Sequence, residues 1–235
     1  MNLVDIIIIG MLILFGLTGF VRGFFKQTII FIGTIFVIIF AFLLKNPIST
    51  VMYKSLPFLK FGGLSSLNIL LYELIAFILM IFVLSIILSL IIKISGIIEK
   101  ILDVTIILAI PSKILGLIVG LIQGVVILYV ILFIVSLPVF KRDLLKDSKY
   151  ASIVLNNTPV MKDLGKNSIK AFDEIAEFTE NKIDLKDVEE TNKNIIEIML
   201  KNNIVSTDNI KYLVDNKKIE INNINDLISK YEEEK

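Results

Sequence analysis

The stretch ILGLIVGLIQGVVILYVILFIVSL, residues 114–137, decides the fold: twenty-four residues without a charge, closed by Pro138 and Lys141-Arg142. A run of this length spans the ~30 Å hydrocarbon core of a bilayer. In hydrocarbon an unpaired backbone N–H or C=O costs several kcal/mol, so the segment must satisfy its own backbone as a helix. A closed barrel would require alternating apolar and polar positions, which a continuous run lacks.

Three further stretches follow the same logic. Leu3–Val21 is apolar apart from Asp5 and is followed by Arg22. A cleavable leader has its positive charge ahead of the apolar run. Here the acid comes first, so the spacing predicts a retained helix with Asp5 at the interface. Thr28–Leu44 is uncharged, and the short Arg22-Gly23-Phe24-Phe25-Lys26 link makes it an antiparallel neighbour of the first helix. Lys45-Asn46-Pro47 closes it. Residues 48–68 carry turn signals at Pro57, Gly62-Gly63 and Ser65-Ser66, with Tyr53, Phe58, Lys54 and Lys60 suited to an interface. Ile69–Ile92 is the third span, ended by Lys93. Ile101–Ile110, with Asp103 inside and Pro111 after, is too short to cross and reads as interfacial or re-entrant.

Composition divides the chain in two. Mean hydropathy is +0.83 and 55% of residues are apolar, above the ~45–50% of soluble domains. Residues 1–140 carry eight Lys/Arg against four Asp/Glu, net +4, and residues 141–235 carry sixteen against nineteen, net −3. The expected organisation is a four-helix membrane domain over 1–140 and a polar helical region over 141–235. In the latter, 161–182, 188–200 and 207–214 have helical apolar spacing, and Ser206/Thr207 with Asp208 mark a start. This tail is too polar for a large core of its own. It is expected to be partly flexible or to depend on packing elsewhere. The fold class is therefore all-α, polytopic, with an extramembrane helical tail.

The chain has no Cys, His or Trp. That removes disulfides, thiol nucleophiles, His bases and Cys/His metal sites. No phosphate-binding Gly-Lys-Ser/Thr loop is present. No cofactor, metal or catalytic set is expected, and the chain reads as a non-enzyme. The near-neutral charge gives no nucleic-acid footprint.

Four features stand out. Gly116, Gly120 and Gly124 share one face of the fourth span, where a neighbouring backbone can approach closely. Gly16, Gly19 and Gly23 repeat the theme in the first hairpin. Both sets read first as helix packing; close approach to a ligand or pore is the alternative for the fourth span. Arg22 and Lys26 around Gly23-Phe24-Phe25 suit an interfacial anchor, an anionic lipid contact or a partner contact. Glu73 and Asp103, acids within apolar runs, are either structural or ion- and proton-handling groups.

The order Asp5-Ile-Ile-Ile, Gly16-x-x-Gly19-x-x-Arg22-Gly23-Phe24-x-x-Gln27 and Lys113-x-x-Gly116-x-x-x-Gly120-x-x-x-Gly124 resembles the colicin V production protein (CvpA) family. Ser152-x-x-Leu155 before Pro159 is similar to the stretch that follows the family's last span. The resemblance covers residues 1–160. Two positions depart from the family pattern: Gln27 stands where an acid is frequent, and Ser112 where an Asp or Asn is. The resemblance implies a four-helix inner-membrane protein linked to bacteriocin production or export and to envelope homeostasis. It would work through lipids and through protein partners or a second copy. A small oligomeric channel or transporter using Glu73 and Asp103 is the alternative.

Topology pulls two ways. The first and third connections hold five Lys/Arg; the second connection and the stretch after the fourth span hold seven. By the positive-inside rule this weakly favours a cytoplasmic tail. Relatives that carry an outer protease domain imply an extracytoplasmic one, and the reading leans to the latter.

Overall fold

A computed structural model describes residues 2–59, 63–94, 109–136, 145, 147–157, 174–175 and 188–233. Its elements are helices α1 (Leu3–Arg22), α2 (Phe24–Leu44), α3 (Asn46–Ser55), α4 (Ser65–Ile94), α5 (Ala109–Val135), α6 (Lys149–Asn157), α7 (Val188–Lys201), α8 (Thr207–Asp215) and α9 (Ile224–Glu233). No strand occurs among the described residues. Four helices are long and apolar enough to cross a membrane: α1, α2, α4 and Ile110–Val135 of α5. They correspond to the four spans expected from the sequence. The expected segment over 101–108, Asp103 included, and most of 161–182 lie outside the described residues.

The chain forms two compact units that interleave along the sequence. One comprises residues 1–42, 81–136 and 141–163, the other 43–80, 137–140 and 164–235. The first unit is the apolar bundle. Its α1 and α2 are joined through the single residue Gly23 at φ 75°, a left-handed backbone that disfavours any side chain. The Gly23 N–H donates to Gly19 O (2.9 Å) and Gln27 N donates to Gly23 O (3.0 Å), so the reversal loses little backbone bonding. Large apolar side chains cover the outside: Ile32, Phe36 and Phe40 on α2, and Phe82, Ile86, Leu90 and Ile91 on α4. In water such a surface would drive association; in a bilayer it meets acyl chains.

The second unit holds an apolar core of Tyr53, Ile69, Leu70, Tyr72, Ile195, Ile196, Met199, Ile210, Leu213 and Ile228, among others. The polar C-terminal helices thus do not rely on themselves alone. Their apolar faces close on α3 and on the first turns of α4. Pro47, read from the sequence as a stop, lies instead in the first turn of α3. A first-turn N–H has no intrahelical acceptor, so proline costs nothing there, and Lys45, itself with helical backbone angles (φ −68°, ψ −25°), joins α2 to α3. Ser206 caps α8 by accepting from Asn209 N (3.2 Å), as the sequence expected. Lys218 Nζ donates to Tyr53 O (2.5 Å) and Leu56 O (3.2 Å), satisfying carbonyls at the end of α3.

Candidate functional site

In the bundle, the glycines bring α1 and α5 into backbone contact. A Cβ built on Gly19 would strike Gly116 O and lie 2.9 Å from Gly120 Cα. One on Gly116 would strike Gly19 O and lie 2.7 Å from Gly23 C, and one on Gly120 would strike Phe15 O. Gly124 faces the Phe15 side chain, with Cβ-to-Cβ at 2.9 Å, and Gly16 faces Leu121 at 3.1 Å. Real Cβ atoms essentially never approach within 3.0 Å, so Gly19, Gly116, Gly120 and Gly124 admit no side chain unless something shifts, whereas at Gly16 the Leu121 side chain would have to give by a few tenths of an ångström. All six glycines singled out from the sequence lie along this one seam.

Two polar sets pin the bundle. At one end the Asp5 carboxylate is held at the start of α6. Ser148 Oγ donates to Asp5 Oδ1 (2.6 Å), Tyr150 N to the same oxygen (3.2 Å), and Asn2 N to Oδ2 (3.2 Å). Ser148 itself accepts from Ala151 N (3.1 Å), as a helix cap does. A carboxylate beside a helix N-terminus is also favoured by the helix dipole. Further along, Gln27 Nε2 donates to Gln123 Oε1 (2.5 Å), and Gln123 Nε2 donates to Thr34 Oγ1 (2.8 Å). Arg22 Nη1 extends the chain by donating to Gln27 Oε1 (3.3 Å). Phe24 N donates to Ser112 Oγ (3.1 Å). Gln27 and Ser112, where the family pattern is departed from, are therefore engaged as hydrogen-bonding residues between helices.

Glu73 belongs to the second unit and is 2% exposed. Lys45 Nζ donates to its Oε2, and Tyr53 OH donates to Oε1 at 2.8 Å. Asn209 Nδ2 lies 3.4 Å from Oε1 and 3.1 Å from Ser49 Oγ, while Thr50 Oγ1 donates to Asn209 Oδ1 (2.7 Å). Lys45 Nζ also donates to Ile204 O (2.5 Å). Burial, then the adjacent Glu73 charge, pushes the Tyr53 phenol well above its usual range. It therefore stays a neutral donor. A second buried amide, Asn192, accepts from Ser66 N (3.0 Å) and Ser66 Oγ (2.8 Å) and donates to Gly63 O (3.0 Å). Sequence reading found Glu73 but not Lys45, Tyr53 or Asn209 as its partners, since nothing local links them.

Arg22, Phe24 and Lys26 sit together at the α1–α2 turn, and the Phe24 and Phe25 rings meet edge-on at 5.4 Å between centroids. No three acidic side chains gather into a metal-binding group among the described residues.

Together these features define a polytopic membrane protein whose polar side chains hold helices to one another. The family model for the colicin V production protein matches residues 4–159, well over half of the chain, and the chain belongs to that family. The match begins one residue before Asp5 and ends two after Asn157, the last residue of α6, so it covers the four spans, Leu3 alone excepted, and the Asp5–Ser148 contact. Curated proteins and solved structures give no match.

Proposed function

We propose that this protein is a non-enzymatic scaffold of the bacterial inner membrane, acting in bacteriocin production or export and in envelope homeostasis. A four-span bundle anchors it, and the helices α7–α9, folded with α3 and the start of α4, offer a docking face to protein partners or to a second copy. The observation that carries this reading is the Glu73 site. Its carboxylate is enclosed by Lys45, Tyr53 and Asn209, the arrangement of a structural lock. An ion-conducting acid needs a passage, and these three donors engage both carboxylate oxygens, filling three of about four lone-pair sites.

The C-terminal region is placed on the extracytoplasmic side, as relatives with an outer protease domain imply, and charge placement is compatible with that side. Lys45 is spent in a buried ion pair. Lys54 lies within a folded unit, its ammonium 5.5 Å from the Tyr212 ring. The positive-inside rule counts short loops and gives little weight to folded domains. Discounting those two lysines brings the tail side down to five Lys/Arg, level with the five on the Arg22–Lys26 side, so the charge count no longer opposes an extracytoplasmic tail.

A photo-crosslinker at exposed Lys201 or Asp208, in membranes of a strain whose phenotype depends on the protein, tests the scaffold. A discrete adduct larger than the protomer is expected. A functional membrane that yields only uncrosslinked protomer from both positions would remove the docking role.

A further inference from the structure

We propose that the α1–α2 turn and the first turn of α5 together bind the headgroup of an anionic phospholipid, through Arg22, Lys26 and Lys113. The three cations come from segments in direct contact. Gly23 rests against Gly116, Phe24 N donates to Ser112 Oγ, and Lys113 Nζ stands 5.9 Å from the Phe20 ring centroid. Arg22 and Lys113 are exposed and Lys26 is half-buried. The charge is strongly one-sided. Among the described residues of this unit the acids are Asp5 and Asp147. Asp5 is bonded to Ser148, so both acids sit away from this turn, at the far end of α1.

The surroundings select a lipid over a soluble phosphate. All three cations lie at the ends of candidate spans, the depth of headgroups. Beside them Phe20, Val21, Phe25, Ile114 and Leu115 present large exposed apolar side chains. A bound diacyl lipid would lay its phosphate between the cations and its chains along that apolar wall. Each Lys or Arg close to an anionic surface strengthens attraction by about fivefold. Guanidinium and ammonium groups supply the donors that a phosphodiester accepts.

The test uses the purified full-length protein in detergent, titrated with phosphatidylglycerol or phosphatidylcholine and read by native mass spectrometry. Phosphatidylglycerol is expected to bind about tenfold or more tightly than phosphatidylcholine, and only its binding should weaken as salt rises. The combined variant Arg22→Gln, Lys26→Gln, Lys113→Gln should lose roughly a hundredfold. Lys149→Gln should lose nothing, and the charge-keeping set Arg22→Lys, Lys26→Arg, Lys113→Arg should retain most of the preference. The proposal is overturned by a salt-independent preference in the unmodified protein, by equal loss in Lys149→Gln, or by displacement of the lipid by an equal concentration of glycerophosphoglycerol. A failure of the scaffold role would leave these lipid measurements unchanged.

Discussion

Glu73 shows how much one residue's role depends on partners distant in sequence. An acid inside an apolar run is visible in the sequence, and its cost in hydrocarbon makes it a functional suspect. Its cation is Lys45, separated by 28 positions, and its amide partner Asn209 by 136. No spacing rule joins such residues, so the pairing emerges only when the second unit folds. Removing one member of a buried pair strands the other, at a cost of about 3–5 kcal/mol. Glu73→Gln is therefore expected to loosen α7–α9, seen as faster amide hydrogen exchange over 188–233 and earlier tryptic cleavage there. Lys45→Met combined with Glu73→Leu should restore much of the protection, because neither charge is then left buried alone. A proton-handling Glu73 makes the opposite forecast: Glu73→Gln keeps native protection and abolishes flux in proteoliposomes. Gln27 and Gln123 make a similar point. Each is a single amide in an apolar helix, and their hydrogen bond, with Thr34 beyond it, explains both without a transported species.

At the scale of elements, the α1–α5 crossing rests on the absence of side chains. Gly116→Ala would push a methyl into Gly19 O and the Gly23 backbone, atoms that cannot rotate away. Overpacking of this kind costs about 1–3 kcal/mol, so the unfolding midpoint in detergent should drop by several degrees. Gly10→Ala is the matched control: nothing lies within 4 Å of its added Cβ, and a helix gains from replacing glycine by alanine. An equal drop in both variants would mean that the seam does not hold the bundle. The glycine spacing made this seam legible, because residues four apart share a face whatever the partner. The long spans were legible for the equally simple reason that hydrocarbon admits only helices and closed barrels, and a continuous apolar run lacks a barrel's alternation. The α3 helix was not, since Pro47 reads as a breaker until its place in a first turn is known. Nor was the α7–α9 core, whose apolar faces look too sparse until Tyr53, Ile69, Leu70 and Tyr72 are added from elsewhere in the chain.

At the scale of the whole molecule, helix lengths and the Asp5–Ser148 contact constrain how the chain crosses the membrane. Asp5 opens α1 and Ser148 precedes α6, and their 2.6 Å hydrogen bond places both at one end of the bundle. An even number of crossings between them satisfies this, and α1, α2, α4 and α5 supply four. The 30 residues of α4 extend ~45 Å at ~1.5 Å per residue, beyond a ~30 Å hydrocarbon core. Tilt takes up part of that excess and projection of a helix end takes up the rest. The buried positions from Ser66 to Ala76, Glu73 among them, mark the projecting end, because their neighbours are protein side chains. With four crossings, parity puts residue 149 and the α1–α2 turn on opposite sides. The chain contains no cysteine, so single introduced thiols report cleanly. Lys54→Cys and Lys149→Cys are expected to react with an impermeant maleimide on intact spheroplasts. Phe25→Cys is expected to react only after the membrane is opened. The reverse pattern would keep four crossings and place the C-terminal region in the cytoplasm. Labelling of Phe25→Cys and Lys149→Cys from the same side would make the number of crossings between them even, and α2, α4 and α5 could not all span.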